Sequence, residues 1–426
     1  MRFIISSLVL VLTFTSSLNA TTTSQFLDQT AEKYVRLGLE LGKFDKDYVD
    51  AYLGPKEWRD EANAQERDSV ALAKDIDALY QSIKSYKPSD TELVRYSALS
   101  KNIRAMDTRV RMVNGQKFSF REEARLIYDA EIPDYDFAVF DQALEQINEL
   151  MGKPDDLPSA VSDYRNSLSI DSEKLDSVFM AALDECRKRS KQYIPMPENE
   201  RFRIEYVTDK NWGGYNWYQG DNESLMQVNM DFPTRIDRPV DLGCHEGYPG
   251  HHVWNVLVEN QLMNDNGWIE YTLFPLFSPF GLIAEGSANY GVDLSFPGEE
   301  KVAFEKSILY PLAGLEPNEA SRLDQLNQLT AKLSHASTAI AVLYLDGKVS
   351  RDEAIAMRQK YSLVTRDRAE QGIRFTEQYR AYVINYTLGK DIVADYVERG
   401  TNTPKERWDK FTRMLTELKT ASDMIE

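Results

Sequence analysis

The chain has 426 residues, of which 42% are hydrophobic and 28% are charged, and its formal net charge is −18. This composition is typical of a globular protein and excludes a disordered or collagen-like chain. An acidic surface repels phosphate backbones, so we expect no nucleic-acid partner.

The first twenty residues predict a secretory signal. Arg2 is followed by the apolar run 3–14 and by a segment of small and polar residues that ends at Ala20, which is the order of regions in a cleavable signal peptide. A buried first helix or a membrane anchor is the alternative, but an anchor needs about 20 apolar residues and this run is shorter. We therefore expect cleavage after Ala20 and an exported protein, periplasmic or secreted. No cysteine lies near Ala20 to carry a lipid, so we expect no stable membrane anchor.

Residues 21–426 predict a single, mainly α-helical domain with a small β-sheet. Apolar residues recur at helical spacing along most of the chain, and Ser119 with Glu122 forms the pattern of a helix-opening capping box. The helices predicted before the sheet are residues 25–53, 69–83, 93–113, 119–128, 136–151 and 171–193.

Two strands are predicted near residues 203–230. Arg203 to Val207 and Leu225 to Met230 alternate in polarity, and the segment 211–221 between them is rich in Gly, Asn and aromatic residues, which predicts a loop.

The cysteines are Cys186 and Cys244. They lack the close pairing of a zinc-binding CxxC motif. We expect Cys244 to be a buried free thiol, because a disulfide at this point would constrain the histidine-rich segment that begins at the next residue.

A histidine cluster follows the predicted strands. Three of the four histidines, His245, His251 and His252, lie within eight residues, and Glu246 follows the first of them. The helical pattern His-Glu-x-x-His places two imidazoles on one face as zinc ligands, with the glutamate beside them as general base. The cluster therefore predicts a Zn²⁺ site on a helix near residues 241–262.

The spacing departs from that pattern, because the second histidine comes six residues after His245 rather than four. Six residues of regular helix span about 9 Å, which is too far for two ligands of one ion. Pro249-Gly250 predicts a bulge that returns the second histidine to the ion, since proline removes a backbone donor and glycine accepts unusual dihedral angles. The alternative is that Pro249-Gly250 ends one helix and the histidines cap the next.

Spacing alone leaves both His251 and His252 open as the second ligand. A two-residue bulge puts His251 in the ligand position, and we favour this assignment. His252 would then point along the cleft, where it could hold the substrate or the transition state.

A third ligand is predicted on a helix near residues 279–294. Glu285 is the one acidic residue in an apolar segment with small neighbours, and it lies 34 residues after His251. A carboxylate on an apolar face is costly unless it is paired or bound to a metal. Asn289 and Asp293, four and eight residues later, are expected to support the ligands from the same face. An exposed Glu285 without a ligand role is the alternative.

These motifs resemble a known family. The run from His245 to His252 is similar to the HExxPGHH signature of the domain of unknown function 885 family. Ala284-Glu285-Gly286 with Tyr290 is similar to the second motif of that family, and the segment 34–55 resembles the start of its short bacterial members. Tyr386-Thr387-Leu388-Gly389 resembles part of a C-terminal element, although the glutamine of the preceding family run is missing here.

The resemblance implies a helical fold similar to zinc peptidases of the gluzincin type, with the metal in a deep cleft. It assigns the ligand role to His245, His251 and Glu285 and the base role to Glu246. Peptidases of this kind keep an edge strand for extended substrate before the zinc helix, so the resemblance implies that the strand from Leu225 to Met230 is such an edge strand. It implies no particular substrate.

The predicted function is an exported zinc metallohydrolase, with a peptidase that cleaves small peptides favoured. Glu246 would accept the proton of zinc-activated water, and His252 or a tyrosine would stabilise the oxyanion. Tyr386 is the candidate tyrosine. It shares helical spacing with Tyr379 and Tyr382, and core packing is the alternative role for these three residues.

Two other functions stay open. A hydrolase of a non-peptide ester or amide would use the same residues. A non-catalytic metal-binding protein is the second alternative, but it would have no need of Glu246. The predicted partner is thus a peptide or another small molecule, and His335 is expected to be an ordinary helix residue. Substrate specificity and oligomeric state do not follow from the sequence.

Overall fold

The computed structural model describes residues 24–210, 213–231 and 233–425. The predicted signal peptide and its cleavage site, residues 1–20, lie outside the described residues. The described chain is mainly α-helical, as the hydrophobic periodicity predicts, and it has two small β-sheets where one was predicted. None of the helices in the described ranges combines the length and the apolar character that crossing a membrane requires.

The α-helices of the described chain are numbered α1 to α20 in chain order. They are Gln25–Leu41, Lys56–Ala64, Ser69–Ser85, Leu93–Val113, Phe120–Tyr128, Phe137–Leu150, Leu157–Asn166, Ser172–Ser190, Arg238–Leu242, His251–Leu257, Pro279–Ser295, Glu300–Phe304, Tyr310–Ala313, Glu319–Ala331, Ala336–Leu345, Arg351–Ser362, Arg366–Tyr379, Leu388–Glu398, Pro404–Met414 and Ala421–Ile425. In the described chain, π-helical segments occupy Gly243–Gly247, Val258–Asp265 and Glu305–Leu309. Segments of 3₁₀-helix occupy Ile269–Thr272 and Arg380–Tyr386.

Local signals place several helices correctly. Helix α4, Leu93–Val113, has the predicted bounds. The capping box opens α5 as expected, because Ser119 accepts a hydrogen bond from the Glu122 backbone and the Glu122 carboxylate accepts one from the Ser119 backbone at 2.9 Å. Helices defined by their own caps and apolar spacing are therefore well predicted.

The predicted helix 25–53 is wrong in its second half. Helix α1 ends at Leu41, and Val49–Tyr52 forms a strand, β1. This strand pairs antiparallel with Leu273–Pro275, which is β5, more than two hundred residues later in the chain. Backbone hydrogen bonds to a distant segment thus override a helical spacing of apolar residues that continues past Leu41.

The predicted loop 211–221 is also wrong, because Gly214–Gly220 forms a strand, β3. Strands β2 (Arg201–Val207) and β4 (Glu223–Asn229) are parallel, and β3 pairs antiparallel with β4, so the sheet order is β2-β4-β3. Strand β4 is therefore central, and the expectation that it is the edge strand is wrong. The hairpin turn is Asp221-Asn222, whose φ angles of 52° and 61° are those that tight two-residue hairpins need.

The cysteine prediction is wrong as well. Cys186 and Cys244 form a disulfide, with their Cα atoms 5.4 Å apart. Helix α8, which carries Cys186, packs closely on the segment 243–247, and a Cβ at Gly243 would lie only 3.4 Å from the backbone of Leu183. The disulfide fastens the start of the histidine segment to that helix.

The apolar core falls into one large cluster and smaller ones in the described chain. The large cluster includes buried residues of α1, α3, α4, α8, α11 and α18, and a smaller cluster is built largely from α6 and α14 to α17. Tyr135 and Tyr164 pack against both of these clusters. Buried residues of the histidine segment and of α11 belong to the large cluster, so the segments that carry the predicted metal ligands are anchored in it.

Candidate metal centre

The histidine segment is not a continuous helix. The π-helical turn Gly243–Gly247 is followed by an irregular stretch through Pro249 and Gly250, and α10 starts at His251. A Cβ at Gly250 would lie 1.8 Å from the carbonyl oxygen of His245, so only glycine fits. The predicted bulge and its alternative each describe part of this geometry, since one helical turn ends before Pro249 and a new helix begins at His251.

The break brings two imidazoles together. The rings of His245 and His251 have centroids 4.7 Å apart and are nearly perpendicular. Pro249 packs against α11, where a Cβ at Gly291 would lie 2.8 Å from the proline Cγ. The same contact brings α11, which carries Glu285, beside the two histidines.

Three side chains converge on one point. The Nε2 atoms of His245 and His251 lie 3.4 and 3.8 Å from Oε2 of Glu285, and one ligand atom from each of the three residues lies within 4.8 Å of the others. Ligand atoms about 2.0–2.2 Å from a tetrahedral zinc ion are roughly 3.4 Å apart. The spacing and the donor types thus suit Zn²⁺ with an open fourth position.

Glu285 carries the clearest sign of an absent partner. Its Oε2 atom is buried and accepts no hydrogen bond from the described residues, whereas Oε1 accepts one from the hydroxyl of Tyr382 at 3.0 Å. A buried carboxylate oxygen that makes no hydrogen bond is costly unless a positive charge lies beside it. A cation between Oε2 and the two imidazoles would remove that cost.

Neighbouring groups orient the ligands. Oδ1 of Asn289 can only accept, so in the neutral imidazole of His245 the proton is on Nδ1, 3.2 Å away, and Nε2 is the available ligand atom. The expected support from Asn289 is therefore present. Asp293 does not take part, because its carboxylate pairs with Lys390 at 2.6 Å on the outer side of α11.

Glu246 lies beside the cluster without joining it. Its Oε1 is 4.0 Å from Nε2 of His245, and the side chain lines the same cavity. Burial, together with the charge of Glu285, raises the pKa of Glu246 to about 7. A carboxylate with such a pKa is suited to accept and return a proton near neutral pH.

His252 is not part of the cluster. It is fully buried, its Nδ1 lies 2.8 Å from Ser224 Oγ, and its Nε2 lies 3.1 Å from the Glu200 carboxylate. Tyr248 also donates to Glu200, at 2.6 Å. The expectation that His252 points along the cleft is wrong, because the first turn of α10 directs adjacent side chains about 100° apart. His252 instead fastens α10 to β4 and to Glu200.

Two of the three C-terminal tyrosines reach the site. Tyr382 and Tyr386 line the cavity, with hydroxyl oxygens 3.5 Å apart. Burial, together with the charge of Glu285, raises the pKa of each, so both hydroxyls stay protonated and can donate. Tyr386 is 40% exposed, which leaves it accessible from the cavity. Tyr379 packs against Tyr382 and does not line the cavity.

The three side chains open into a cavity of about 500 Å³. One wall is β3, whose residues Gly214 to Tyr218 line the cavity, and in the described sheet β3 pairs with β4 alone. The amide of Asn216 donates to the Glu246 carbonyl oxygen, which ties this edge strand to the metal segment. An edge strand therefore runs beside the candidate metal centre, although it is β3 rather than the predicted β4.

The sequence did not predict that β3 lines the cavity or that Tyr382 donates a hydrogen bond to Glu285. The turn pair Asp221-Asn222 after a run of aromatic residues was a usable signal for the β3 hairpin. No local signal distinguishes Tyr382 from its neighbours, because its contact with Glu285 spans 97 residues.

The fold and the site define a mainly helical protein with a candidate three-ligand metal centre. No family model matches the chain, and no curated protein matches it. A solved structure described as the "putative lipoprotein from Colwellia psychrerythraea" has a similar fold, with a TM-score of 0.54, 13% identity, and coverage of 93% of this chain and 74% of that chain. A "putative lipoprotein of unknown function from Shewanella oneidensis" gives a TM-score of 0.45 at 13% identity, covering 93% of this chain and 81% of that chain.

Proposed function

We propose that this protein is a zinc-dependent hydrolase and that its substrates are peptides. The observation that carries the proposal is the orphaned Oε2 of Glu285, which faces the Nε2 atoms of His245 and His251 at 3.4 and 3.8 Å. These three residues would hold the ion and leave a position open for water. The resemblance to the domain of unknown function 885 family supports the same ligand set.

Each neighbouring group has a role in this proposal. Zinc, when bound, supplies Lewis acidity that lowers the pKa of a coordinated water and polarises a carbonyl group. Glu246 accepts the proton of the attacking water and delivers it to the leaving group. Tyr386 donates a hydrogen bond to the oxyanion that develops on the carbonyl oxygen. Tyr382 and Asn289 orient Glu285 and His245.

The cavity favours a peptide over other substrates. Strand β3 borders it as an edge strand, and an extended peptide can add to such an edge through backbone hydrogen bonds. A substrate strand along β3 would pass Glu246, because Asn216 holds the Glu246 carbonyl against the middle of β3. An ester or a non-peptide amide would not use this edge.

We also propose that the protein is exported. The disulfide between Cys186 and Cys244 is of a kind that persists in oxidising compartments, and it agrees with the predicted signal in residues 1–20. The structure from Colwellia psychrerythraea reported above is described as a "putative lipoprotein", a class of exported protein, whereas this chain has no cysteine near Ala20.

A peptide library tests the proposal. The purified mature chain, loaded with one equivalent of zinc, is incubated with mixed short peptides and, in parallel, with a panel of esters and non-peptide amides. Cleavage of peptides that stops with a chelator and returns with added zinc is the expected result. Turnover of the ester panel alone would assign another bond type, and no turnover of either panel by the zinc-loaded chain would contradict hydrolase function.

A further inference from the structure

The cavity continues beyond the candidate metal centre in one direction. On α10 the lining residues are His251 and then, one turn later, Trp254 and Asn255, followed by Val258 just past the helix end. On α11 the lining passes from Glu285 back to Gly281 and Phe280, one turn towards the helix start. One turn is about 5.4 Å, so an inner compartment lies about one to two turns from the metal ligands.

The walls of this inner compartment are mainly apolar and aromatic. Trp254 and Phe274 stack edge to face with ring centroids 6.1 Å apart, and Tyr271 and Phe280 do so at 5.4 Å. Val258, 2% exposed, packs with the same group. These walls would accept a large apolar or aromatic side chain of a ligand.

Two polar atoms of the inner compartment lack partners. Asn102 on α4 donates from Nδ2 to the Ala98 carbonyl oxygen at 3.0 Å, and its Oδ1 has no hydrogen bond from the described residues. The hydroxyl of Tyr271 also has none. Both residues line the cavity, and they are only 5% and 7% exposed. Asn102 Oδ1 can only accept, so the missing partner is a hydrogen-bond donor.

The carboxylates on this side of the described lining already have partners, and Asp50 accepts a hydrogen bond from Tyr215. Glu270 is the one carboxylate near Tyr271 in the lining, and both its oxygens are bound by Arg95, with Nε at 2.7 Å and Nη2 at 2.9 Å. Arg95 is further held by Asp28 at 2.6 Å. A charged ligand group would therefore be desolvated without a counter-ion, which is unfavourable. A neutral donor fits.

We propose that the inner compartment is a specificity pocket for a phenol side chain, with the substrate hydroxyl donating to Asn102 Oδ1 and accepting from Tyr271. This inference rests on the proposed hydrolase function for the metal end of the cavity and adds the substrate class: peptides with tyrosine at the position that enters the pocket. A phenylalanine would fill the same walls but leave both polar atoms unpaired, and a buried site that loses its hydrogen bonds discriminates strongly.

Calorimetric binding tests the pocket without requiring turnover. N-acetyl-tyrosinamide and N-acetyl-phenylalaninamide are titrated into the zinc-loaded wild type and into zinc-loaded Glu246→Gln, at concentrations up to the millimolar range. We expect the tyrosine amide to bind at least about tenfold more tightly than the phenylalanine amide. Equal affinities, or no binding of either amide, would overturn the proposal.

Variants of the residues that line the inner compartment test which side chains cause the preference for tyrosine. Asn102→Leu and Tyr271→Phe should each reduce the tyrosine preference about threefold to tenfold. Tyr310→Phe is the matched control, because the Tyr310 hydroxyl is also buried and has no hydrogen bond from the described residues, but it does not line the cavity. Tyr310→Phe should leave the tyrosine preference unchanged. If Asn102→Leu fails to fold, Tyr271→Phe still tests the pocket. A preference that survives in both pocket variants would contradict the assignment.

The outcomes separate this inference from the proposed function. Selective binding of the tyrosine amide without cleavage of any peptide would support the pocket and contradict the hydrolase function. Cleavage of library peptides without a tyrosine preference would support the hydrolase function and contradict the pocket.

Discussion

The hydroxyl of Tyr382 donates a hydrogen bond of 3.0 Å to Oε1 of Glu285, and this contact leaves Oε2 as the oxygen that faces His245 at 3.4 Å. The tyrosine thereby sets which carboxylate oxygen is available to an ion. Tyr386, beside it, donates to no ligand and remains open to the cavity. The two tyrosines are thus expected to act at different stages.

Tyr382→Phe should weaken zinc binding, because Glu285 would lose the contact that orients it. Removing such a supporting hydrogen bond typically lowers metal affinity about 10- to 100-fold. Tyr386→Phe should keep zinc affinity and lower kcat, because only the oxyanion donor is removed. Zinc titration against a competing chelator and peptide kinetics measure the two effects. Equal zinc affinities in both variants and the wild type would contradict the role given to Tyr382.

The ligand assignment predicts which histidine the ion requires. His251→Ala should lose zinc after dialysis, whereas His252→Ala should retain about one zinc per chain and instead lower the free energy of unfolding by about 1–3 kcal/mol, because its buried hydrogen bonds are lost. His335→Ala is the matched control, because it also removes a histidine with a polar partner, Asp391, but one that is not a predicted ligand. Metal analysis together with urea unfolding measures both quantities. Zinc loss confined to His252→Ala would reverse the assignment.

Glu246→Gln distinguishes an enzyme from a metal-binding protein. Glutamine keeps the shape of Glu246 but cannot accept a proton, so we expect a loss of about 10²- to 10⁴-fold in kcat with zinc content unchanged. Glu285→Gln should lower zinc occupancy and activity together. Glu205→Gln, an exposed site on β2, serves as the control and should change neither. Full activity in Glu246→Gln would rule out the general-base role.

Zinc affinity should rise with pH. In the metal-free chain burial lowers the pKa of His245, but the carboxylates of Glu285 and Glu246 outweigh burial and raise it to about 9. Burial and the charge of His245 lower the pKa of His251 to about 4. Zinc requires neutral imidazoles, so near pH 7 binding should displace a proton from His245 and none from His251.

The expected slope is about tenfold in affinity per pH unit between roughly pH 6 and pH 8, with a plateau above about pH 9. Calorimetry in buffers of different ionisation enthalpy measures the number of protons released. A pH-independent affinity across this range would show that His245 is already neutral in the metal-free chain.

Removal of the disulfide should destabilise the protein. Cys186 and Cys244 are 58 residues apart, and in the loop-entropy description a bond that closes such a loop contributes roughly 2–5 kcal/mol. We expect the double variant Cys186→Ala/Cys244→Ala to unfold at a correspondingly lower urea concentration. A reductant should bring the wild type to the stability of the variant and leave the variant unchanged. If the wild type unfolds and refolds at the same urea concentration with and without reductant, the result would argue against the bond.

Local sequence features predicted those elements that depend on nearby residues. The capping box of Ser119 and Glu122 marked the start of α5, and the apolar spacing of α4 marked both of its ends. The strands were harder, because β1 is a strand only through its pairing with β5. The aromatic residues of β3 form an edge that faces a cavity rather than an alternating buried face, so the polarity pattern of a half-buried strand is missing.

The sequence by itself determined the cluster of donor groups: His245, Glu246 and His251 are close in the chain, and the need for a third ligand pointed to Glu285. Tertiary structure alone decided that His252 turns into the core, that Tyr382 reaches Glu285, and that Cys186 bonds to Cys244. The physical reason is the range of the interactions. Residue types and short spacings constrain backbone dihedrals within a turn or two, whereas the direction in which a side chain finds its partner depends on how helices far apart in sequence pack against each other.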